Sequence, residues 1–268
     1  MTLSFTKMNG AGNDFIMVDN RRNAFALTKE QIARLCDRHR GIGADGLIAA
    51  EPAQNGGDFR MRYYNADGGE AEMCGNGARC FARFASRLGG TKNGISFETI
   101  AGQVSAQLLE GQVRLQMSEP RGMQIDIPLN VAGEDLLVHF VNTGVPHAVV
   151  VVSDLESVDV IKLGRGIRFH DRFAPSGTNA NFIRANPDRT LSIRTYERGV
   201  EGETLACGTG VCASALVFHR LTGAAAPVQV QVRGGETLSV DFQPANGGYS
   251  AVTLTGSADF VFDGVVEL

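Results

Sequence analysis

The chain has 268 residues, of which 43% are hydrophobic and 20% charged, with a formal net charge of -4. That balance is expected of a soluble globular protein with room for roughly two domains of ordinary size. It excludes the basic excess that a nucleic-acid or anionic-membrane surface requires.

The opening Met1-Thr-Leu-Ser-Phe-Thr-Lys7 has no apolar run after a basic segment, and no stretch of about 18 apolar residues follows, so a cytoplasmic protein is expected. Five cysteines, at 36, 74, 80, 207 and 212, are an odd number in a chain too long to need stapling, which fits reduced thiols.

In chain order, Thr28-Lys-Glu-Gln31 is a capping box that opens a helix placing Ile32, Leu35, Cys36 and His39 on one face, so Cys36 reads as a core thiol. Residues 76–88 form a second helix with Phe81, Phe84, Ala85 and Leu88 on one stripe and Arg79, Arg83 and Arg87 on another, ending at Gly89-Gly90. The β-rich runs 95–99, 103–109, 112–117 and 137–141 predict strands. Residues 118–133, with two prolines and little periodicity, predict a domain crossover. Residues 209–221 are apolar nearly all round and stop at Gly223, as expected of a helix wrapped by its own sheet, and strands follow at 228–232, 237–242 and 249–255. Short glycine-containing turns favour antiparallel neighbours.

The two halves of the chain resemble each other at an offset of about 132 to 135 residues. Cys74-Gly-Asn-Gly-Ala-Arg-Cys80 returns as Cys207-Gly-Thr-Gly-Val-Cys212, each before an alanine-rich stretch, and Tyr64 matches Tyr196. Gly43-Ala-Asp-Gly-Leu-Ile48 echoes Gly177-Thr-Asn-Ala-Asn-Phe-Ile183, and Gly12-Asn-Asp-Phe15 parallels Gly144-Val-Pro-His147. The expectation is a mixed α/β protein of two pseudo-symmetric domains born of an internal duplication, each a mostly antiparallel or mixed sheet around a central helix.

Each Cys-Gly-x-Gly precedes its helix, where partial positive charge favours a thiolate. Inverting a stereocentre by proton transfer needs a base on one face of a carbon and an acid on the other, and two equivalent thiols, Cys74 and Cys207, meet that demand. Backbone N–H groups at Gly75, Asn76, Gly208 and Thr209 suit a carboxylate and the charge that develops on deprotonation. Cys80 and Cys212 lie inside their helices and read as packing residues. The spacings Cys-x5-Cys and Cys-x4-Cys lack the short knuckle of zinc sites, so no metal is expected.

The motifs Lys7-Met-Asn-Gly-Ala-Gly-Asn-Asp-Phe15, Arg38-His-Arg-Gly-Ile-Gly-Ala-Asp45, Tyr64-Asn-Ala-Asp-Gly68, Met73-Cys-Gly-Asn-Gly-Ala-Arg-Cys80, Tyr196-Glu-Arg-Gly199 and Ala206-Cys-Gly-Thr-Gly210 occur in that order. Together they resemble the diaminopimelate epimerase family, cofactor-free enzymes that interconvert LL- and meso-2,6-diaminopimelate for lysine and peptidoglycan precursor biosynthesis. The resemblance spans the chain.

It implies that Cys74 and Cys207 are the acid–base pair and that His147 and Glu197 help set their ionisation. It also implies that Asn13, Asn65, Asn179, Glu197 and Arg198 bind substrate with Gly75, Asn76, Gly208 and Thr209. One half would be residues 1–118 with 257–268 returning to it, and the other 119–256.

Some family members carry glutamine and asparagine where this chain has Gly46 and Val145, and some carry a dimer-interface tyrosine where it has Phe262. A homodimer acting on a small molecule, without cofactor, is therefore expected. Rival expectations are a racemase of the same fold acting on histidine or proline, and a thiol redox or metal-binding protein. Only four lysines occur, at 7, 29, 92 and 162, none in a phosphate-cup context, which argues against pyridoxal phosphate.

Overall fold

The computed structural model describes residues 2–89, 93–245 and 247–268, so Met1, Gly90 and Lys92 of the sequence reading lie outside the described residues. Two compact units result: Met1–Leu115 with Thr255–Leu268, and Gln116–Leu254.

In the first unit, β1 (Thr2–Gly10) and β2 (Asn13–Asp19) form an antiparallel hairpin. Its two-residue turn, Ala11-Gly12, has φ of 53° and 91°. Positive φ at both turn positions matches the twist of the flanking strands, and the turn delivers Asn13 to the first position of β2. Helix α1 (Lys29–Cys36) has the expected capping box, with Thr28 and Gln31 exchanging side-chain and backbone hydrogen bonds. The helix stops at Cys36, so His39 lies beyond it, exposed, and does not share the buried face of Ile32, Leu35 and Cys36.

Strand β3 (Gly46–Glu51) runs parallel to β2, and β4 (Phe59–Asn65) antiparallel to β3. A short β5 (Glu70–Ala71) hairpins back on β4 before helix α2 (Gly75–Arg87). Strand β6 (Gly94–Thr99) pairs parallel with β4, and β7 (Gly102–Leu108) and β8 (Gln112–Gln116) continue antiparallel.

Helix α2 packs against β1, β2, β3, β4, β6 and β7. Its Phe81 meets Phe97 edge-on at 4.8 Å and Phe59 at 6.5 Å. Burying each such ring contributes about 1.5–3 kcal/mol. Arg79 belongs to this interior and not to a polar stripe with Arg83 and Arg87. It is fully buried, and its guanidinium donates to the carbonyl of Ser257 and to Asn76 Oδ1 at 2.9 Å.

In the second unit, residues 118–133 correct the expectation of a crossover. They hold β9 (Arg121–Val131), antiparallel to β10 (Glu134–Asn142). Met123, Ile125, Ile127, Leu129 and Val131 alternate inward at a period of two, and Pro128 falls on the exposed face. Strand β11 (Pro146–Val151) is antiparallel to β10. Helix α3 (Val160–Arg168) leads to β12 (Asn179–Ala185), which is parallel to β11, and β13 (Leu191–Glu197) is antiparallel to β12.

A short β14 (Gly202–Thr204) hairpins on β13 before helix α4 (Gly208–Thr222). Strand β15 (Val228–Gln231) is parallel to β13, β16 (Thr237–Ala245) is antiparallel to β15, and β17 (Gly248–Ser257) follows. The final strand, β18 (Asp259–Glu267), pairs antiparallel with β1 of the first unit.

The duplication is explicit in these pairings. The series β1-β2-β3-β4-β6 has the senses antiparallel, parallel, antiparallel, parallel, and β10-β11-β12-β13-β15 repeats them. Helix α4 packs against β10, β11, β12, β13, β15 and β16, as α2 does against its own strands. Ten of its residues, among them Val211, Leu216 and Phe218, are buried, and it ends at Gly223 with φ of 71°. A helix apolar all round thus sits inside its unit, as the sequence predicts.

Candidate active site

Both sequence-predicted cysteines occupy the N-cap position of the central helix of their unit, Cys74 before α2 and Cys207 before α4. Each adopts extended backbone there, with φ of -131° at Cys74 and -118° at Cys207. Cys74 is half-buried and Cys207 buried, and neither forms a disulfide. The first-turn N–H groups of an α-helix have no intrahelical acceptor and carry the positive end of its dipole, which stabilises a thiolate or a carboxylate. Cys36, by contrast, is a core thiol that burial pushes up to about 11, while Cys80 and Cys212 are wholly buried within their helices.

In the first unit, Asn76 Nδ2 donates to Asn13 Oδ1 at 2.7 Å, and Asn13 Nδ2 donates to Asp45 Oδ2 at 2.8 Å. Behind Asn13 lies an ionic frame in which Asp14 pairs with Lys7 at 2.8 Å and with Arg38 at 2.7 Å. Burial alone would raise the Asp14 carboxyl, but hydrogen bonds and charge from Arg38 and Lys7 hold it down to about 2. Arg38 also bridges to Asp45 at 2.8 Å. Lys7, Asp14, Arg38, Asp45 and Arg79 all lie in the quoted motifs, yet the sequence alone gives none of them a role at the site. Asp14 meets Arg38 across 24 residues, Asn13 meets Asp45 across 32 and Arg79 meets Ser257 across 178, so spacing alone does not reveal these pairings.

Asn65 ends β4, exposed, opposite Gly46 in the β3–β4 register. At Gly46 a Cβ would lie 2.5 Å from the Tyr64 carbonyl oxygen and 2.7 Å from Tyr63 Cε2. Tyr63 fills the space that a side chain at position 46 would need.

In the second unit, His147, Asn179 and Arg198 come together. His147 lies beside Asn179 in the parallel β11–β12 register. Asn179 Nδ2 donates to the carbonyl of Pro146 at 3.0 Å, and its Oδ1 accepts from the Arg198 backbone N–H at 2.9 Å. The Arg198 guanidinium donates to the Ser176 carbonyl at 3.2 Å. His147 Nε2 is 2.9 Å from Thr209 Oγ1, which in turn is 3.5 Å from Cys207 Sγ.

Burial, with a smaller repulsion from Arg198, pushes His147 down to about 3, so it is a neutral imidazole at physiological pH. Glu197, at the end of β13, is pushed up by burial. Val145 is half-buried beside Pro146.

Asn181 and Thr195, to which the sequence motifs give no role, support His147. Asn181 Nδ2 lies 3.1 Å from His147 Nδ1, and Asn181 Oδ1 accepts from the Thr195 hydroxyl at 3.0 Å. Among the described residues no group of three or more His, Cys, Asp or Glu side chains is placed to hold a metal, and no helix is long and apolar enough to cross a membrane.

Comparison with known proteins gives a consistent result. The diaminopimelate epimerase family model matches residues 5–122 and 139–261. The diaminopimelate epimerase of Aquifex aeolicus is 45% identical over 98% of this chain and 97% of its own length. That of Laribacter hongkongensis is 44% identical over the full length of both chains, 100% of each. A solved structure of a probable proline racemase from Agrobacterium radiobacter K84 superposes with a TM-score of 0.72, covering 99% of this chain and 92% of that one, at 16% identity. That likeness concerns the fold alone. By its sequence over nearly its whole length, this chain belongs to the diaminopimelate epimerase family.

Proposed function

We propose that this chain interconverts LL- and meso-2,6-diaminopimelate without a cofactor, supplying lysine and peptidoglycan precursors, with Cys74 and Cys207 as the acid–base pair. The observation that carries this reading is the repetition of one thiol setting, an N-cap cysteine before Gly-x-Gly at the head of the central helix, in two units of like topology. In either direction one cysteine, as thiolate, takes the α-proton, and the other, as thiol, gives its proton to the opposite face. The two thiols exchange protonation states in each turnover, and the reverse reaction restores them.

The α-carboxylate is assigned to the first-turn N–H groups of α2 and α4, at Gly75, Asn76, Gly208 and Thr209. Asn13, Asn65 and Asn179 are assigned to orient the zwitterion, and Glu197 to bind the amino group. A protonated carboxyl at Glu197, which burial favours, would weaken that last contact. Arg198 supplies a guanidinium fork for a carboxylate. His147 is assigned to tuning thiol ionisation. Each unit is read as one epimerase half, in a cytoplasmic homodimer that uses the exposed ring of Phe262 on β18.

The rival within the same fold is a racemase of a monocarboxylate amino acid. Assay of the purified protein against LL-diaminopimelate, L-histidine and L-proline decides between them. The expected result is turnover of diaminopimelate at least about 10³-fold more efficient than of the others, because a site built to pair a second polar end leaves its groups unsatisfied with a truncated substrate. A preference for either monocarboxylate overturns the substrate assignment.

A further inference from the structure

The registers of the two units place equivalent residues side by side. Phe15 pairs with Gly46 and Ile48 with Tyr63 in the first, as His147 pairs with Asn179 and Asn181 with Thr195 in the second. The glycine at the head of each central helix reads the same correspondence. A Cβ on Gly77 would meet Ile48 at 2.8 Å and Phe15 at 3.5 Å, while one on Gly210 would meet Asn181 at 2.4 Å and His147 at 3.3 Å. Beneath α2 the positions are therefore apolar, Phe15 and Ile48. Beneath α4 they are polar, His147 and Asn181.

Proton counting fixes the direction of the polar chain. The Ala148 carbonyl oxygen can only accept, so the Asn181 atom 3.0 Å from it is the amide nitrogen. The Thr195 hydroxyl then faces Asn181 Oδ1. The second hydrogen on Asn181 Nδ2 points to His147 Nδ1, which must accept. The single ring proton of a neutral imidazole is then on Nε2, and it is donated to Thr209 Oγ1. Because that hydroxyl oxygen accepts from the histidine, its own proton is left for Cys207 Sγ.

We propose that Asn181, held by Thr195 and Ala148, is a positioning residue that locks His147 in the Nε2–H tautomer and so turns the Thr209 hydroxyl proton towards Cys207, stabilising that thiolate. The effect belongs to Cys207 because the equivalents of His147 and Asn181 beneath Cys74 carry no hydrogen-bonding atom in their side chains. Among the described residues, the charge that bears on His147 is that of Arg198, and it favours the neutral ring the relay needs. The inference rests on the reading of Cys207 as an acid–base group.

The test follows alkylation of each cysteine in the full-length protein by iodoacetamide at fixed neutral pH, by peptide mass spectrometry, without assaying epimerisation. Asn181→Leu keeps the side chain's size and removes its polar atoms. It is expected to slow alkylation of Cys207 about tenfold, the worth of one hydrogen bond to a charged group, and to leave Cys74 within about twofold. Thr209→Val is expected to slow Cys207 by the same factor, and adding Asn181→Leu to it to have no further effect, as members of one relay require.

Nitrogen NMR of the unmodified enzyme is expected to place the His147 proton on Nε2. A proton on Nδ1 overturns the proposal, as does an unchanged Cys207 rate in Asn181→Leu or equal slowing of both cysteines. Should Asn181→Leu fail to fold, Thr209→Val and the His147 spectrum decide alone. Failure here with both cysteines still essential refutes the relay and leaves the two-thiol reading standing. An active Cys207→Ala enzyme refutes that reading itself.

Discussion

Cys74→Ala and Cys207→Ala, made separately, are each expected to lower epimerisation by at least about 10³-fold, while neither should lower stability by more than about 1–2 kcal/mol. The size follows from what each thiol is proposed to do. Removing one leaves the α-carbon with a base and no acid, or an acid and no base, in each direction, and water must replace a positioned group. The two variants should fail alike in epimerisation but differ in exchange. Each retains one thiol able to remove and return a proton on its own face, so each should exchange the α-proton of only one of the two substrate stereoisomers with deuterated solvent. Steady-state epimerisation and NMR-detected exchange read both effects. Near-normal epimerisation by either variant contradicts the assignment.

The second large effect concerns the backbone beneath the thiols. Gly210→Ala is expected to destabilise the protein by about 1–3 kcal/mol and to remove most of its activity, because the new Cβ would sit 2.4 Å from Asn181 Oδ1. Asn181 is fully buried and pinned by Thr195 and Ala148, so it cannot yield without breaking those bonds. The matching Gly77→Ala meets Ile48 Cδ1 at 2.8 Å, the end of a flexible apolar side chain that can turn aside. It is therefore expected to cost under about 1 kcal/mol. Denaturant midpoints of the two variants give the comparison, and equal destabilisation would mean that the polar support beneath α4 is no stiffer than the apolar one beneath α2.

What the sequence makes legible is what short range determines. The capping box at Thr28, the helix stop at Gly223 and the two Cys-Gly-x-Gly helix starts are written within a few residues, and all four form. The internal repeat is legible because both copies kept their turn glycines and cysteines.

Strand β9 is masked in the sequence because Pro120 just before it and Pro128 within it draw attention from the alternation of Met123, Ile125, Ile127, Leu129 and Val131. His39 is misplaced because Asp37 caps the helix first, accepting the backbone N–H groups of His39 and Arg40. Arg79 falls at helical spacing with two more exposed arginines, and nothing local says that the carbonyl of Ser257, far along the chain, receives it.

The support of the candidate site is harder still. Asp45 matters through Asn13 and Arg38, and Asn181 through His147 and Thr195. These partners meet only once strands are in register, so the residues that touch substrate can be proposed from motifs while those that hold them cannot.

The two-thiol reading is tested most directly by a single early time point in deuterated water. Starting from LL-diaminopimelate, the protein is mixed with substrate and quenched after a few per cent conversion, and both stereoisomers are analysed for α-deuterium. Two opposed thiols predict a meso product that carries solvent deuterium at the inverted carbon, beside residual LL substrate still unlabelled. A product that retains the substrate's own α-hydrogen would mean one group serving both faces, and would contradict the account.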